Sequence, residues 1–326
     1  PPPFFQAEDG IRDNIPSLVG SEMCIRDSFH TNPEGQIVWI TDDVASGNDE
    51  PQFGRANRVY NVIDVRQSYL QRVVIQGLRR LGFTEEADNS THFSYEMVAL
   101  SPGCCRDLGI ELSKADKDRP YVEVSGRKGL GVKADDLIDK LLEKSFEEVL
   151  ARQHDLPLEK SRRIAHQIAV GALRYFMLKY TRNSVIAFDF GEALSFEGET
   201  GPYLQYSVVR AGNIFRKLAE RDPALSEQLD MSIRERLWDN EGISTLLQDN
   251  AVWQLLLDIG RTEEVVEQSV ESLEVAGIAR HTFNVAQQFN LFYHKHHILS
   301  EPDETKRLFY LAVADTGRKG LVKLLH

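Results

Sequence analysis

Cysteine is scarce in this chain. Of three, Cys104 and Cys105 are neighbours, which suits neither a disulfide framework nor a C-x-x-C metal site and leaves reduced cytosolic thiols as the simplest reading. Long apolar runs are missing too: none approaches the roughly 18 residues that a membrane helix needs. Positive charge is in deficit, with 38 Lys and Arg against 50 Asp and Glu and a net charge of −12. Global attraction to nucleic acid is therefore excluded, and an RNA binder of this kind would need local basic patches. No G-x-x-x-x-G-K-[ST] occurs, so a P-loop nucleotide enzyme is ruled out. Neither internal repeats nor low-complexity segments are found. What remains is 42% hydrophobic and 27% charged, an ordinary globular composition over 326 residues, with two domains as the expectation.

Residues 1–28 show neither helical nor strand periodicity, and lack the charged and apolar regions of a secretory signal. Ile-Arg-Asp occurs twice, at Ile11–Asp13 and Ile25–Asp27. The stretch resembles translated sequencing-adapter text. It is expected to be an artefact or disordered, and is set aside from fold reasoning together with Cys24.

Beyond it the chain reads as α/β followed by all-α. Gln36–Thr41, Arg58–Asp64 and His92–Leu100 are strand-like runs rich in β-branched and aromatic residues. Leu70, Val73, Val74, Leu78 and Leu81 recur at helical spacing, and Gly82 is a natural stop. Strand, helix, strand predicts a parallel sheet whose ligands sit beyond the carboxyl ends of the strands. After Lys133 helices are expected almost to the end: Leu137–Leu150, Ser161–Tyr180, one opening at Gly198–Pro202 and running through Leu218, then Ser226–Leu237, Gly242–Ile259, Glu263–Gln288 and Thr305–Leu325. The resulting division is 29–135 for the α/β part, 136–199 for a helical connection and 200–326 for a helical bundle.

Between the β-rich run Tyr121–Val124 and the next helix lies Ser125-Gly-Arg-Lys-Gly-Leu-Gly131. Arg127 and Lys128 sit among glycines that let backbone approach a ligand, which suits a polyphosphate; a solvated basic turn has the same composition. Further along, Tyr203, Gln205, Tyr206 and Arg210 share one helix, with Tyr206 and Arg210 four apart on one face. Aromatics with an arginine suit stacking on bases and holding phosphates, and equally suit helix packing. His294, His296 and His297 do not converge as metal ligands on a helix, and no metal site is expected.

Three blocks together resemble arginyl-tRNA synthetase, a class I aminoacyl-tRNA synthetase: Ile63-Asp-Val-Arg-Gln67; His92 through Val98 with the glycine loop to Lys133; and Phe196-Glu-Gly-Glu-Thr-Gly-Pro-Tyr-Leu-Gln-Tyr206 with Arg210. The resemblance covers about residues 30–326. It implies the later half of a Rossmann-type parallel sheet plus a helical anticodon-binding bundle. It implies a cytoplasmic ligase that joins L-arginine to its tRNA, with ATP and Mg²⁺ as substrate, no tightly bound cofactor, and a monomeric parent enzyme. The family's histidine- and glycine-bearing ATP motif lies upstream of the matching region, and no His-x-Gly-His occurs here. The expectation is a fragment inactive by itself, or else a tRNA-binding module without catalysis.

Residue by residue, the resemblance places Trp39 and Asp43 around the arginine guanidinium, where a carboxylate can accept paired N–H donors; Trp39 stands where Tyr is usual. Gln67 would bind substrate or merely cap its own helix. His92, Met97 and Val98 match the adenine-binding strand end, with Glu96 departing from the usual Gly. Ser125, Arg127 and Lys128 occupy the Lys-Met-Ser-Lys-Ser position, where cations stabilise departing pyrophosphate; Glu123 replaces the first Lys. Tyr203, Gln205, Tyr206 and Arg210 would face tRNA, with Val208 where the family has His.

Overall fold

The computed structural model describes residues 25–31, 37–42, 56–123, 132–237 and 242–326, the first two stretches by backbone alone. The chain divides into two compact units, Pro1–Glu96 and Met97–His326, and each is taken by itself.

In the first unit, β1 (Ile25–Thr31) pairs antiparallel with β2 (Ile37–Asp42), with Phe29 opposite Trp39. Strand β1 starts inside the stretch set aside at the sequence level: Ile25–Ser28 belongs to this hairpin. The next strand, β3 (Val59–Asp64), runs parallel to β4 (Ser90–Tyr95), with Val62 opposite Phe93. A parallel pair needs a crossover, which is supplied by a 3₁₀ turn (Val65–Gln67), α1 (Ser68–Arg80) and α2 (Thr84–Asp88). Gly82, at φ 92°, ends α1 in the left-handed conformation that glycine adopts without a Cβ penalty.

The second unit opens with β5 (Val98–Leu100). The run expected as one strand, His92–Leu100, is two strands interrupted at Glu96 and Met97. Next come α3 (Pro102–Asp107), α4 (Lys114–Lys117), the long hairpin of α5 (Ala134–Arg152) and α6 (Leu158–Leu178), and then β6 (Ile186–Phe188), parallel to β5. Strand β6 was not expected. Of the β-rich run Tyr121–Val124, Val122 forms a single antiparallel bridge to Leu100. This α/β portion has its own core, in which Phe176, Phe188 and Phe190 meet edge-on, with centroids 5.0 and 5.3 Å apart along the trio.

From α7 (Phe190–Leu194) onward the chain is helical: α8 (Gly201–Arg221), α9 (Pro223–Glu227), α10 (Leu229–Leu237), α11 (Ile243–Leu246), α12 (Asn250–Gly260), α13 (Thr262–Ser272), α14 (Ala276–Lys295) and α15 (Glu304–Leu325). Side-chain caps start α8, α12 and α15. Thr200 Oγ1 accepts the Tyr203 N–H, Asp249 those of Ala251 and Val252, and Asp303 that of Lys306. The expected helix Glu263–Gln288 is broken at Leu273, whose φ of 55° places a non-glycine residue in the left-handed region. Val252, Leu255, Val285, Phe289, Phe292, Leu311 and Leu321 fill the bundle core. The architecture is a Rossmann-like portion with short parallel strand pairs, followed by a helical bundle.

Candidate functional site

Strand β3 feeds directly into the turn that carries Gln67. Asp64 caps that turn: its carboxylate accepts the Arg66 backbone N–H at 2.7 Å and the Arg66 guanidinium at 2.6–3.1 Å. The Arg66 side chain and amide hold the Asp64 carboxyl down to about 2. Asp64 and Arg66 thus secure the strand–helix junction. Gln67 stands at the N-cap of α1 and is exposed, yet its side chain makes no capping hydrogen bond.

His92 is the third residue of β4, not its end. Its Nε2 lies 2.9 Å from the carbonyl of Ile63, which can only accept, so Nε2 carries the proton and bonds across to β3. Met97 and Val98 belong to the second unit. There the Met97 carbonyl accepts the Ile186 N–H at 3.2 Å, and half-exposed Val98 pairs with Ile186. The expected adenine-binding backbone is thereby part of the β5–β6 ladder.

At the carboxyl end of β5, the Ser101 N–H donates to the Phe188 carbonyl, and its hydroxyl to Asp189 at 2.5 Å. Val122 leaves its bridge to Leu100 at this same strand end and leads toward the glycine loop. Ser125, Arg127 and Lys128 lie outside the described residues, as does Asp43; Trp39 is placed on β2 by its backbone alone. Buried Cys104 and Cys105 sit close by. Burial first, then neighbouring Cys105 and Asp189, pushes the Cys104 thiol up to about 12, so it is no nucleophile at neutral pH.

The second constellation is fully described. Arg210, on α8, lies with its guanidinium carbon 4.7 Å from the Tyr206 ring centroid and 5.0 Å from that of Tyr293 on α14. Its Nη2 donates to the Tyr206 hydroxyl at 3.2 Å, and its Nη1 to Asn290 Oδ1 at 2.5 Å; His294 Nε2 lies 3.2 Å from the same Nη1. Asn290 is buried, and its amide donates onward to the Tyr203 hydroxyl (3.0 Å) and Ser207 Oγ (2.8 Å). Asn290 thus joins α8 to α14 and sets the guanidinium between two rings. Tyr206 remains 49% exposed, and Arg210 beside it is half-buried.

These contacts sort the four residues expected on this helix. Tyr206 and Arg210 form the exposed face. Tyr203 packs on Phe283, 5.4 Å between centroids, and belongs to the interior clasp. Gln205 turns to α6, donating to the Gln167 carbonyl at 2.9 Å. Asn290 and Tyr293 were missed by sequence reasoning; the available signal was an asparagine inside the apolar run Phe289–Phe292. His294 and His296 part company: His294 meets Arg210, while His296 stacks on Tyr310 at 4.4 Å and approaches Asp249 at 3.6 Å. Among the described residues no group of three His, Cys, Asp or Glu is placed to hold a metal, and no helix is long and apolar enough to cross a membrane.

Comparison with known proteins gives two domain families. The catalytic domain of class I (R) tRNA synthetases matches residues 29–190, and the DALR anticodon-binding domain matches residues 204–325. The arginine–tRNA ligase of Ignicoccus hospitalis is 32% identical over 292 residues, covering 88% of this chain and 40% of the relative. That of Thermococcus kodakarensis is 30% identical over 299 residues, covering 88% and 41%. The chain thus spans about two fifths of the length of these curated relatives. Among solved structures, Thermus thermophilus arginyl-tRNA synthetase superposes with a TM-score of 0.64 at 24% identity, over 94% of this chain and 46% of that one, a likeness of fold.

Proposed function

From the premise that the chain belongs to the arginyl-tRNA synthetase family, we propose that these 326 residues carry the RNA-holding part of an ATP-dependent arginine–tRNA ligase. The single observation that carries this reading is the seat of Arg210. A half-buried guanidinium fixed between Tyr293 and the exposed ring of Tyr206 offers a stacking plane and a phosphate-binding charge at one place. It stands on a chain whose net charge otherwise repels nucleic acid.

In the longer protein, arginine's carboxylate would attack the α-phosphorus of ATP, releasing pyrophosphate, and the terminal ribose hydroxyl of tRNA would then take the arginyl group. Arg127 and Lys128 would stabilise charge on the departing pyrophosphate, with Ser125 beside them. Trp39 and Asp43 would hold the guanidinium of the substrate, and Gln67, whose amide is unused by its helix, would bind substrate polar groups. His92 would meet adenine through the ring nitrogen that Ile63 does not occupy, and Met97 and Val98 would each offer backbone groups to ATP. Magnesium would arrive with ATP. The compartment consistent with this role is the cytoplasm.

These residues contain no His-x-Gly-His, so arginine activation draws on groups beyond them. The chain is expected to bind arginine-accepting tRNA with an affinity that falls as salt rises, and to show no arginine-dependent ATP–pyrophosphate exchange. Exchange by this chain would refute the division of labour, and absence of salt-sensitive tRNA binding would refute the RNA-holding role. In a full-length ligase, Lys128→Ala should slow activation more than it weakens arginine binding, because the charge acts in the transition state. Asp43→Ala should weaken arginine binding most.

A further inference from the structure

The Tyr206–Arg210 face does not end at Tyr206. The same ring lines the wall of an open groove of about 1460 Å³ between the α5–α6 hairpin, α8 and the first turn of α14. The floor of the groove is apolar, with Val170, Val209 and Val275 among its exposed residues. Arg152 and Arg174 also line it, with His166, Gln153 and Gln167. Glu148, an acid on this wall, is ion-paired to Arg152 at 3.2 Å. Arg152 also lies 4.2 Å over the Phe196 ring, which lines the groove as well. The groove therefore carries two aromatic rings with guanidinium partners, Phe196 with Arg152 and Tyr206 with Arg210. Arg174 is exposed, and among the described residues it makes no ion pair or hydrogen bond.

Arginine planes stacked on rings, an apolar floor and side-chain amides are what an unstacked nucleotide uses: stacking for the base, donors for its edge, a cation for its phosphate. We infer that this groove is a second RNA subsite, which takes an unstacked nucleotide and its phosphate from a part of the tRNA outside the anticodon stem-loop, with Arg174 as the phosphate contact. The inference rests on the RNA-holding role proposed above. It is supported by continuity, since Tyr206 belongs to both surfaces, and by charge, since Glu148 is ion-paired to Arg152 while Arg174 has no ion pair among the described residues.

The test uses the whole 326-residue chain with two RNAs, a full-length arginine tRNA transcript and its isolated anticodon stem-loop. Arg174→Glu touches no described partner and should leave the melting temperature unchanged. It should weaken full-length tRNA binding about tenfold or more and leave stem-loop binding unaltered, and Arg174→Ala should lower the salt slope for full-length tRNA by about one. Val209→Glu, which places an anion on the groove floor, should act in the same direction. Arg210→Ala should weaken both RNAs. If Arg210→Ala weakens both while Arg174→Glu and Val209→Glu change neither, the RNA-holding role stands and the groove subsite is overturned. If wild type binds neither RNA, both readings fall together. If an acidic amphipathic peptide binds the groove in an Arg174-dependent way while tRNA affinity ignores Arg174, the groove belongs to a protein partner and the inference is wrong.

Discussion

The helix α1 and the helix α14 are both amphipathic, but they end differently. Along α14, Val285, Phe289 and Phe292 are fully covered by the bundle, and its one interior amide, Asn290, is satisfied on both sides. Along α1 the cover is partial: Gln71 and Leu78 are buried, while Leu70, Val73, Val74 and Leu81 are exposed, Leu70 at 55%. The outer side of β3 is open as well, with Val62 at 63% exposed. The bundle closes its own core, whereas the first unit presents apolar surface of the kind that invites association. The same polypeptide thus contains a region whose stability is internal and a region whose apolar face awaits cover.

Matched truncations should separate the two regions, and the largest effect belongs to the bundle. Phe289→Ala removes a fully buried ring and should cost about 3–5 kcal/mol in chemical unfolding. Leu70→Ser on α1 should stay within about 0.5 kcal/mol and reduce self-association in sedimentation. Equal losses from the two would erase the contrast.

Next in size is the helix crossing at Gly201. A Cβ there would meet the Gly171 carbonyl oxygen at 2.5 Å and the Ala172 Cα at 2.8 Å, both backbone atoms. Gly201→Ala should destabilise by about 1–3 kcal/mol, whereas Gly77→Ala on α1, which meets nothing within 4 Å, should be neutral or stabilising by about 0.5–1 kcal/mol through helix propensity. A comparable loss at both sites, read from melting temperatures, would show that α1 is covered after all.

Asn290→Ala should follow, at about 1–3 kcal/mol, because Arg210, Tyr203 and Ser207 all lose a partner. Unchanged stability would mean that the amide is not the clasp between α8 and α14.

The smallest effect is acid sensitivity. The Arg66 side chain and amide lower the folded Asp64 carboxyl from 3.8 to about 2. Its stabilising contribution is therefore complete above about pH 4 and is lost as pH falls toward 2. At Asp315 burial opposes ionisation, but hydrogen bonds from Lys319 and Arg318 outweigh it and the carboxyl is again lowered. Asp64→Asn should flatten the acid limb for the first unit alone, and Asp315→Asn for the bundle alone. A single shared change in hydrogen exchange for either variant would contradict the division.

Much of this was legible in the sequence, for physical reasons that also explain the failures. The α1 periodicity and Gly82 announced a helix and its stop, and the stop is made by a positive φ. Strand β6 escaped because Ile186–Phe188 is three residues long, too short for a period, and only its pairing with β5 makes it a strand. The break between α13 and α14 escaped because Leu273 takes a conformation that leucine does not advertise. At the candidate site, the spacing of Tyr206 and Arg210 showed a shared face. That Tyr293 and Asn290 complete it is tertiary information, carried by helix packing across at least 80 positions of sequence.

The central claim is that the Tyr206–Arg210–Tyr293 stack is an RNA-binding face and not merely a clasp between helices. The most direct test is tRNA affinity as a function of salt for the wild-type chain and for Arg210→Ala. The account predicts at least a roughly tenfold loss of affinity and a salt slope smaller by about one. An unchanged affinity and slope, accompanied by a lower melting temperature, would make the stack structural and contradict the claim.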